Sequence, residues 1–238
     1  MFIKLKLILV LSIFSFVSLY AQTADEIINK ALQAQGNEYM KKFKTLKMQG
    51  KITGFDKDIP FKIYYKFPKS VRSEMTMDKK TMIQAFDGKE GWYIAPDQTK
   101  AQKMPADQLE QLKQQANVLE SPFTDYKKKG ITVTLKGKKK VDGKDAYQLK
   151  LTQKGQKQTM YVFIDAKTYI FFKTQIEGKK DGKKLVFETF MKNHKNISGA
   201  MIPHLVENKA NGKLVSKMIL DYVEANAKLD DSMFKMPK

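Results

Sequence analysis

Apolar and polar residues change rhythm twice along this chain, and each change marks an element. Ile28, Leu32, Tyr39 and Phe43 recur at helical spacing, helped by Ile27, Ala31 and Met40. Thr23-Ala24-Asp25-Glu26 has the capping-box form, a hydroxyl at the cap with a carboxylate three residues on. Gly36 weakens the middle by about 1 kcal/mol relative to alanine. The pattern therefore predicts an amphipathic N-terminal helix that lies on a sheet. From Thr45 the period becomes two. Leu46, Met48, Gly50 and Ile52 alternate with polar neighbours, as do Ile59, Phe61, Ile63, Tyr65 and Phe67, then Val71, Ser73, Met75 and Met77. Such alternation reads as half-buried antiparallel strands.

The stretch Phe86–Lys100 carries the only tryptophan. Asp87-Gly88 predicts a tight two-residue hairpin turn, since Asp-Gly supplies positive φ cheaply. It joins strands Thr81–Phe86 and Gly91–Ala95. Phe86, Trp92 and Ile94 are all even-numbered, which places them on one side of the pleat. Pro96 ends the ladder. A second helix is expected to enter at Met104-Pro105-Ala106-Asp107, with Leu109, Leu112, Ala116 and Leu119 as its apolar stripe; Ser121-Pro122 stops it. Strands are then expected at Ile131–Lys139, Asp145–Thr152, Gln158–Asp165, Tyr169–Glu177, Lys184–Lys192, Met201–Lys209 and Lys213–Val223. About a dozen strands in one strongly twisted antiparallel sheet tend to curl. The fold class is mainly β with a helical lid (α+β), the N-terminal and central helices covering the hollow. Ile28, Leu32, Tyr39, Leu109 and Leu112 are the lid's inward residues.

Met1–Ala21 has a short basic head with Lys4 and Lys6, an apolar run from Leu7 to Leu19, and a small residue at its end. It reads as a secretory signal peptide cleaved after Ala21; a retained anchor is the alternative, though the run is short for a membrane span. Residues 22–238 read as one exported, periplasmic domain. There is no cysteine, hence no disulfide, and the core alone must hold the fold. Net charge is +19, almost all from lysine, with Arg72 the single arginine. Nucleic-acid sites lean on arginine for bidentate contacts, so nucleic acid is excluded as a partner. Transient docking on anionic membrane surfaces suits the scattered lysines.

Catalytic chemistry is missing. No G-x-S-x-G, P-loop or H-E-x-x-H occurs. His194 and His204 are the only histidines and make a poor metal site without cysteine or paired acids. We expect no enzyme activity, no cofactor and no metal. Methionine and phenylalanine are abundant, thirteen and fifteen. Singly they read as core. Together they suit a pliable apolar surface, and an acyl-chain cavity is expected from Met48, Ile52, Phe61, Ile63 and Tyr65, continued by Met75, Phe86, Trp92 and Ile94.

Several segments resemble one known family. Phe67-Pro68-Lys69-Ser70-Val71-Arg72 and Phe86-Asp87-Gly88-Lys89-Glu90-Gly91-Trp92-Tyr93, following a signal and a helix, are similar to the periplasmic lipoprotein carrier LolA and its superfamily. Val141-Asp142-Gly143-Lys144-Asp145-Ala146-Tyr147, Val162–Thr168, Ile202-Pro203-His204 and Asp231-Ser232-Met233-Phe234 resemble its larger members, the outer membrane lipoprotein-sorting proteins. The resemblance implies an unclosed β-barrel and binding of lipoprotein acyl chains during transfer toward the outer membrane. It implies an inner-membrane exporter and an outer-membrane acceptor as partners. It also implies that Arg72 latches the lid helices. The superfamily's RseB group implies the alternative, an envelope sensor or adaptor that binds a membrane regulator.

Overall fold

A computed structural model describes residues 22–237, apart from 55, 117–119, 157 and 181. The predicted signal peptide and residue Leu119 of the predicted central helix lie outside the described residues.

Helix α1 spans Ala24–Ala34 and begins with the expected capping box. The Thr23 hydroxyl accepts from the Glu26 amide at 3.2 Å, and the Glu26 carboxylate accepts from the Thr23 amide at 3.0 Å. The single helix expected through Phe43 is broken. Gly36 sits at φ +74, left-handed backbone that ends α1. A short helix, α2, follows over Asn37–Met40. Glycine is required here twice over, because an added Cβ would lie 2.1 Å from the Gly199 carbonyl oxygen. The break swings Tyr39 off the predicted inner face, and it is 55% exposed.

The strands are β1 Thr45–Thr53, β2 Ile59–Lys66, β3 Ser70–Met77, β4 Lys80–Phe86, β5 Gly91–Ile94, β6 Gln102–Lys103, β7 Ile131–Val141, β8 Lys144–Gln153, β9 Thr159–Asp165, β10 Phe171–Lys180, β11 Lys183–Ile197, β12 Ala200–Ala210 and β13 Lys213–Ala225. Helix α3, Ala106–Ala116, lies between β6 and β7. The tiny β6 was not legible in the sequence, and β11 runs beyond its expected end at Lys192. Left-handed pairs fill several two-residue hairpin turns, including Asp142-Gly143 (φ 48 and 77) and Asn211-Gly212 (φ 48 and 79).

All thirteen strands form one antiparallel sheet in the order β6-β5-β4-β3-β2-β1-β13-β12-β11-β10-β9-β8-β7. Pairing of β1 with β13 joins the two halves of the chain in the middle. The edges β6 and β7 do not pair, so the sheet is not closed into a barrel. Its curl follows from chain reach. Helix α3 packs on β3 and β4, while Phe123 sits in a core with α1, β8 and β9. A flat sheet would hold β3 and β9 roughly 34 Å apart, at about 4.8 Å per strand. The chain from Ala116 to Phe123 spans at most ~25 Å. The sheet must therefore bend its two halves toward each other.

Two apolar cores lie on the concave face. One joins β1–β4 to α3 through Leu46, Phe61, Tyr65, Val71, Phe86 and Leu112. The other joins β8 and β9 to α1 through Ile27, Ile28, Ala31, Leu149 and Val162. The covering elements are thus α1 with α2 over one half and α3 over the other, as the sequence implied.

Candidate ligand cavity

Where the two cores meet, packing is incomplete. A cavity of about 200 Å³ opens between α1–α2 and the middle strands. Ala31, Leu32, Gln35, Asn37 and Met40 form its roof. Its floor comes from Leu46 and Met48 of β1, Phe171 of β10, Met191 of β11, Val206 of β12 and Met218 and Leu220 of β13. Glu120, Ser121 and Phe123 close one side. Five lining residues are methionines (Met40, Met48, Met191, Met201 and Met218), whose unbranched, polarisable side chains repack easily. An apolar void of about 150 Å³ already admits benzene. Drug-sized ligands occupy about 300–1,000 Å³, so anything longer needs the roof to move.

Of the residues expected to line an acyl cavity, Met48 lines this hollow, and Leu32 of the predicted lid borders it from above. Phe61, Ile63, Tyr65 and Phe86 are concave-facing but locked in the filled core beneath α3, with Ile52 and Met75 packed against it. Burial pushes the Tyr65 phenol well above its ordinary pKa. Ile28 is buried in the core under α1, Leu112 in that under α3, with Leu109 half-buried beside it.

Trp92 and Ile94 are corrections: they face the opposite side of the sheet from Phe86. The turn after β4 is not the two-residue hairpin expected at Asp87-Gly88. It runs over Asp87–Glu90, and the Asp87 carboxylate accepts from the Lys89 and Glu90 amides, each at 2.8 Å. Phe86 pairs with Gly91 and Ala85 with Trp92. A turn with an even number of residues pairs even positions with odd ones, so alternation by residue number does not carry across it. Trp92 is 1% exposed, and its indole N–H donates to the Phe234 carbonyl at 2.8 Å. It anchors the C-terminal 3₁₀ turn Asp231–Met233.

Arg72 lies on that same outer side, opposite Ala85. Its guanidinium donates to Glu74 at 2.8 Å and to the Met233 carbonyl at 2.9 Å, and lies over the Trp92 ring. The described residues give it no bond to a lid helix; it holds down the C-terminal turn instead.

Sequence reading missed the floor from β10–β13. Met191, Val206 and Met218 stand in expected strands, but nothing local indicates that β13 returns to pair with β1. It also missed two polar side chains. Gln35 is 4% exposed. Its amide N–H donates to the Phe171 carbonyl at a long 3.5 Å, and its Oε1 has no partner among the described residues. His194 lines the cavity with a buried Nε2 that is likewise unpartnered among the described residues. Burial, with electrostatic contributions from Lys144 and His204, lowers its pKa to about 4, so the ring is neutral at pH 7. Among the described residues no group of three or more His, Cys, Asp or Glu is disposed to hold a metal, and no helix is long and apolar enough to cross a membrane.

The fold is an open antiparallel half-barrel with a helix-roofed apolar hollow. No protein-family model and no curated protein matches the sequence. Solved structures share the fold. A LolA superfamily protein from Nitrosomonas europaea is 17% identical, with TM-score 0.57, over 90% of this chain and 98% of its own. A DUF1329 family protein from Desulfovibrio piger is 15% identical with TM-score 0.58, over 88% of this chain and 97% of its own. A domain assigned to the outer membrane lipoprotein-sorting proteins, from Vibrio parahaemolyticus, is 10% identical with TM-score 0.56, over 88% and 94%. The chain shares the fold of these three structures.

Proposed function

We propose that this protein is a non-enzymatic carrier that holds acyl chains in the cavity beneath α1 and α2, in the periplasm, on their way toward the outer membrane. The observation that carries this reading is an under-packed, methionine-lined hollow where the two cores meet. A void of this kind in a curled sheet is a place where apolar burial is still available, at about 0.8 kcal/mol per methylene. The likeness in fold to a protein assigned to lipoprotein sorting supports the choice of cargo. The lysine excess, within a net charge of +19, favours contact with anionic lipid surfaces at loading and release.

The roof is built to yield. Helix α1 keeps its place through a short apolar face, Ile27, Ile28 and Ala31, and only Leu112 and Ala116 of α3 are buried. At about 1.5–3 kcal/mol per large apolar side chain, lifting either helix costs a few kcal/mol, which an entering chain of several methylenes offsets. Gentle purification followed by solvent extraction and mass spectrometry of co-purifying lipid tests the reading. Recovery of stoichiometric acyl lipid is expected. A protein that arrives empty and takes up no lipid or lipopeptide in native mass spectrometry would sink it. Uptake without transfer to acceptor vesicles would favour a sensor over a carrier.

A further inference from the structure

The cavity wall is mostly apolar, and two of its polar residues carry unmet hydrogen-bonding atoms. Gln35 Oε1 and His194 Nε2 are both buried, both belong to residues that line the void, and neither has a partner among the described residues. The one contact of the Gln35 amide orients it. Its amide nitrogen faces the Phe171 carbonyl, and two carbonyl oxygens do not hydrogen-bond each other, so Oε1 is the free atom and accepts only. The neutral imidazole of His194 offers a donor or an acceptor at Nε2, according to which nitrogen holds the proton. Buried polar atoms without partners are uncommon in folded proteins and call for an explanation. Two at the wall of one void point to a ligand group that satisfies both.

We propose, resting on the acyl-binding reading above, that Gln35 and His194 form a polar subsite for the uncharged hydrogen-bonding head of a single-chain amphiphile, a hydroxyl or an amide, whose chain lies along the methionine floor. A head of this type has the two functions required: an O–H or N–H that donates to Gln35 Oε1, and an oxygen that accepts from His194 Nε2–H. A carboxylate does not suit the site. It has no proton to give Gln35, and a buried anion needs a paired cation. The ionisable side chains that line the cavity are His194 and Glu120, and the latter is itself an acid, held by Lys129. A pure hydrocarbon would fill the void and leave both polar atoms stranded.

The position of Gln35 is fixed by the backbone. It is the last residue before the Gly36 break, and its carbonyl accepts from the Met201 amide at 3.0 Å. That bond ties the end of α1 to β12 and holds Gln35 on the same wall as the β11–β12 hairpin that carries His194.

Displacement of Nile red from the delipidated full-length mature chain tests the subsite, with octan-1-ol, octanamide, octanoate and octane as competitors at pH 7. The alcohol and amide are expected to displace the dye at about tenfold lower concentration than octane or octanoate, the ratio one retained hydrogen bond supports. Gln35→Met and His194→Phe should each erase that preference and leave octane unchanged. Should either variant fold poorly by circular dichroism, the competitor ranking on the wild type decides alone. Equal displacement by octane and octanol, or a preference that survives both substitutions, overturns the subsite and leaves the acyl carrier standing; it would mean that a bridging water satisfies the pair. Displacement by none of the four overturns the carrier reading and the subsite with it.

Discussion

Ala31→Leu is the sharpest probe of the hollow. Ala31 lies on the inner face of α1, is 1% exposed, and borders the cavity. The substitution drives an isobutyl group into existing space. At about 0.8 kcal/mol per buried carbon the gain approaches ~2.4 kcal/mol. Leucine's lost side-chain freedom takes back about 0.5–1 kcal/mol, and its helix propensity is close to alanine's. The apo protein should therefore become about 1.5–2 kcal/mol more stable in urea unfolding, read from the midpoint at unchanged slope. Acyl-probe affinity should fall about tenfold, because the new side chain occupies the ligand's volume. Both changes must appear together. Destabilisation by 1–3 kcal/mol, the usual cost of overpacking a full core, would show that no usable hollow exists. Stabilisation with unchanged probe affinity would place the ligand elsewhere.

Gly36→Ala should cost about 2–3 kcal/mol, from its left-handed backbone and the close approach of the Gly199 carbonyl; a loss under ~0.5 kcal/mol in urea would refute the need for glycine there. Arg72→Ala should cost about 1–2 kcal/mol and shift Trp92 emission to the red as the C-terminal turn loosens, with acyl-probe exchange rates unchanged; faster exchange would restore Arg72 as a latch on the lid. His194 titrates at about 4 folded and near 6.5 unfolded. The unfolded chain thus binds the extra proton between those values, and stability should be full above pH 6.5 and decline toward pH 4. The loss is about 2 kcal/mol after allowing for solvent at the ring. Depressed carboxylates such as Glu207 and Asp165 act below about pH 4.5, so His194→Phe should flatten the pH 6.5–4.5 region of the stability curve specifically.

Most elements were legible in the residues because they rest on local physics. Alternation marks a strand face, as in Leu46, Met48, Gly50 and Ile52. A hydroxyl and a carboxylate at cap spacing start α1. Asn211-Gly212 and Asp142-Gly143 turn hairpins through their own backbone preferences. Gly36 announced a weak point, but whether it merely softened the helix or broke it depended on Gly199, a residue far along the chain.

Long-range pairing was not written locally. That β13 closes on β1 decides which strands lie at the centre, and so moved the hollow from the N-terminal strands to the seam lined by Met191, Val206 and Met218. The facing of Trp92 followed from strand pairing, because alternation by residue number does not carry across a turn with an even number of residues. The free amide oxygen of Gln35 and the bare nitrogen of His194 became chemistry only when two distant segments were brought to one wall. Propensity and period belong to neighbours in sequence, whereas the emptiness of a cavity and the loneliness of a buried polar atom belong to whatever the rest of the chain fails to place beside them.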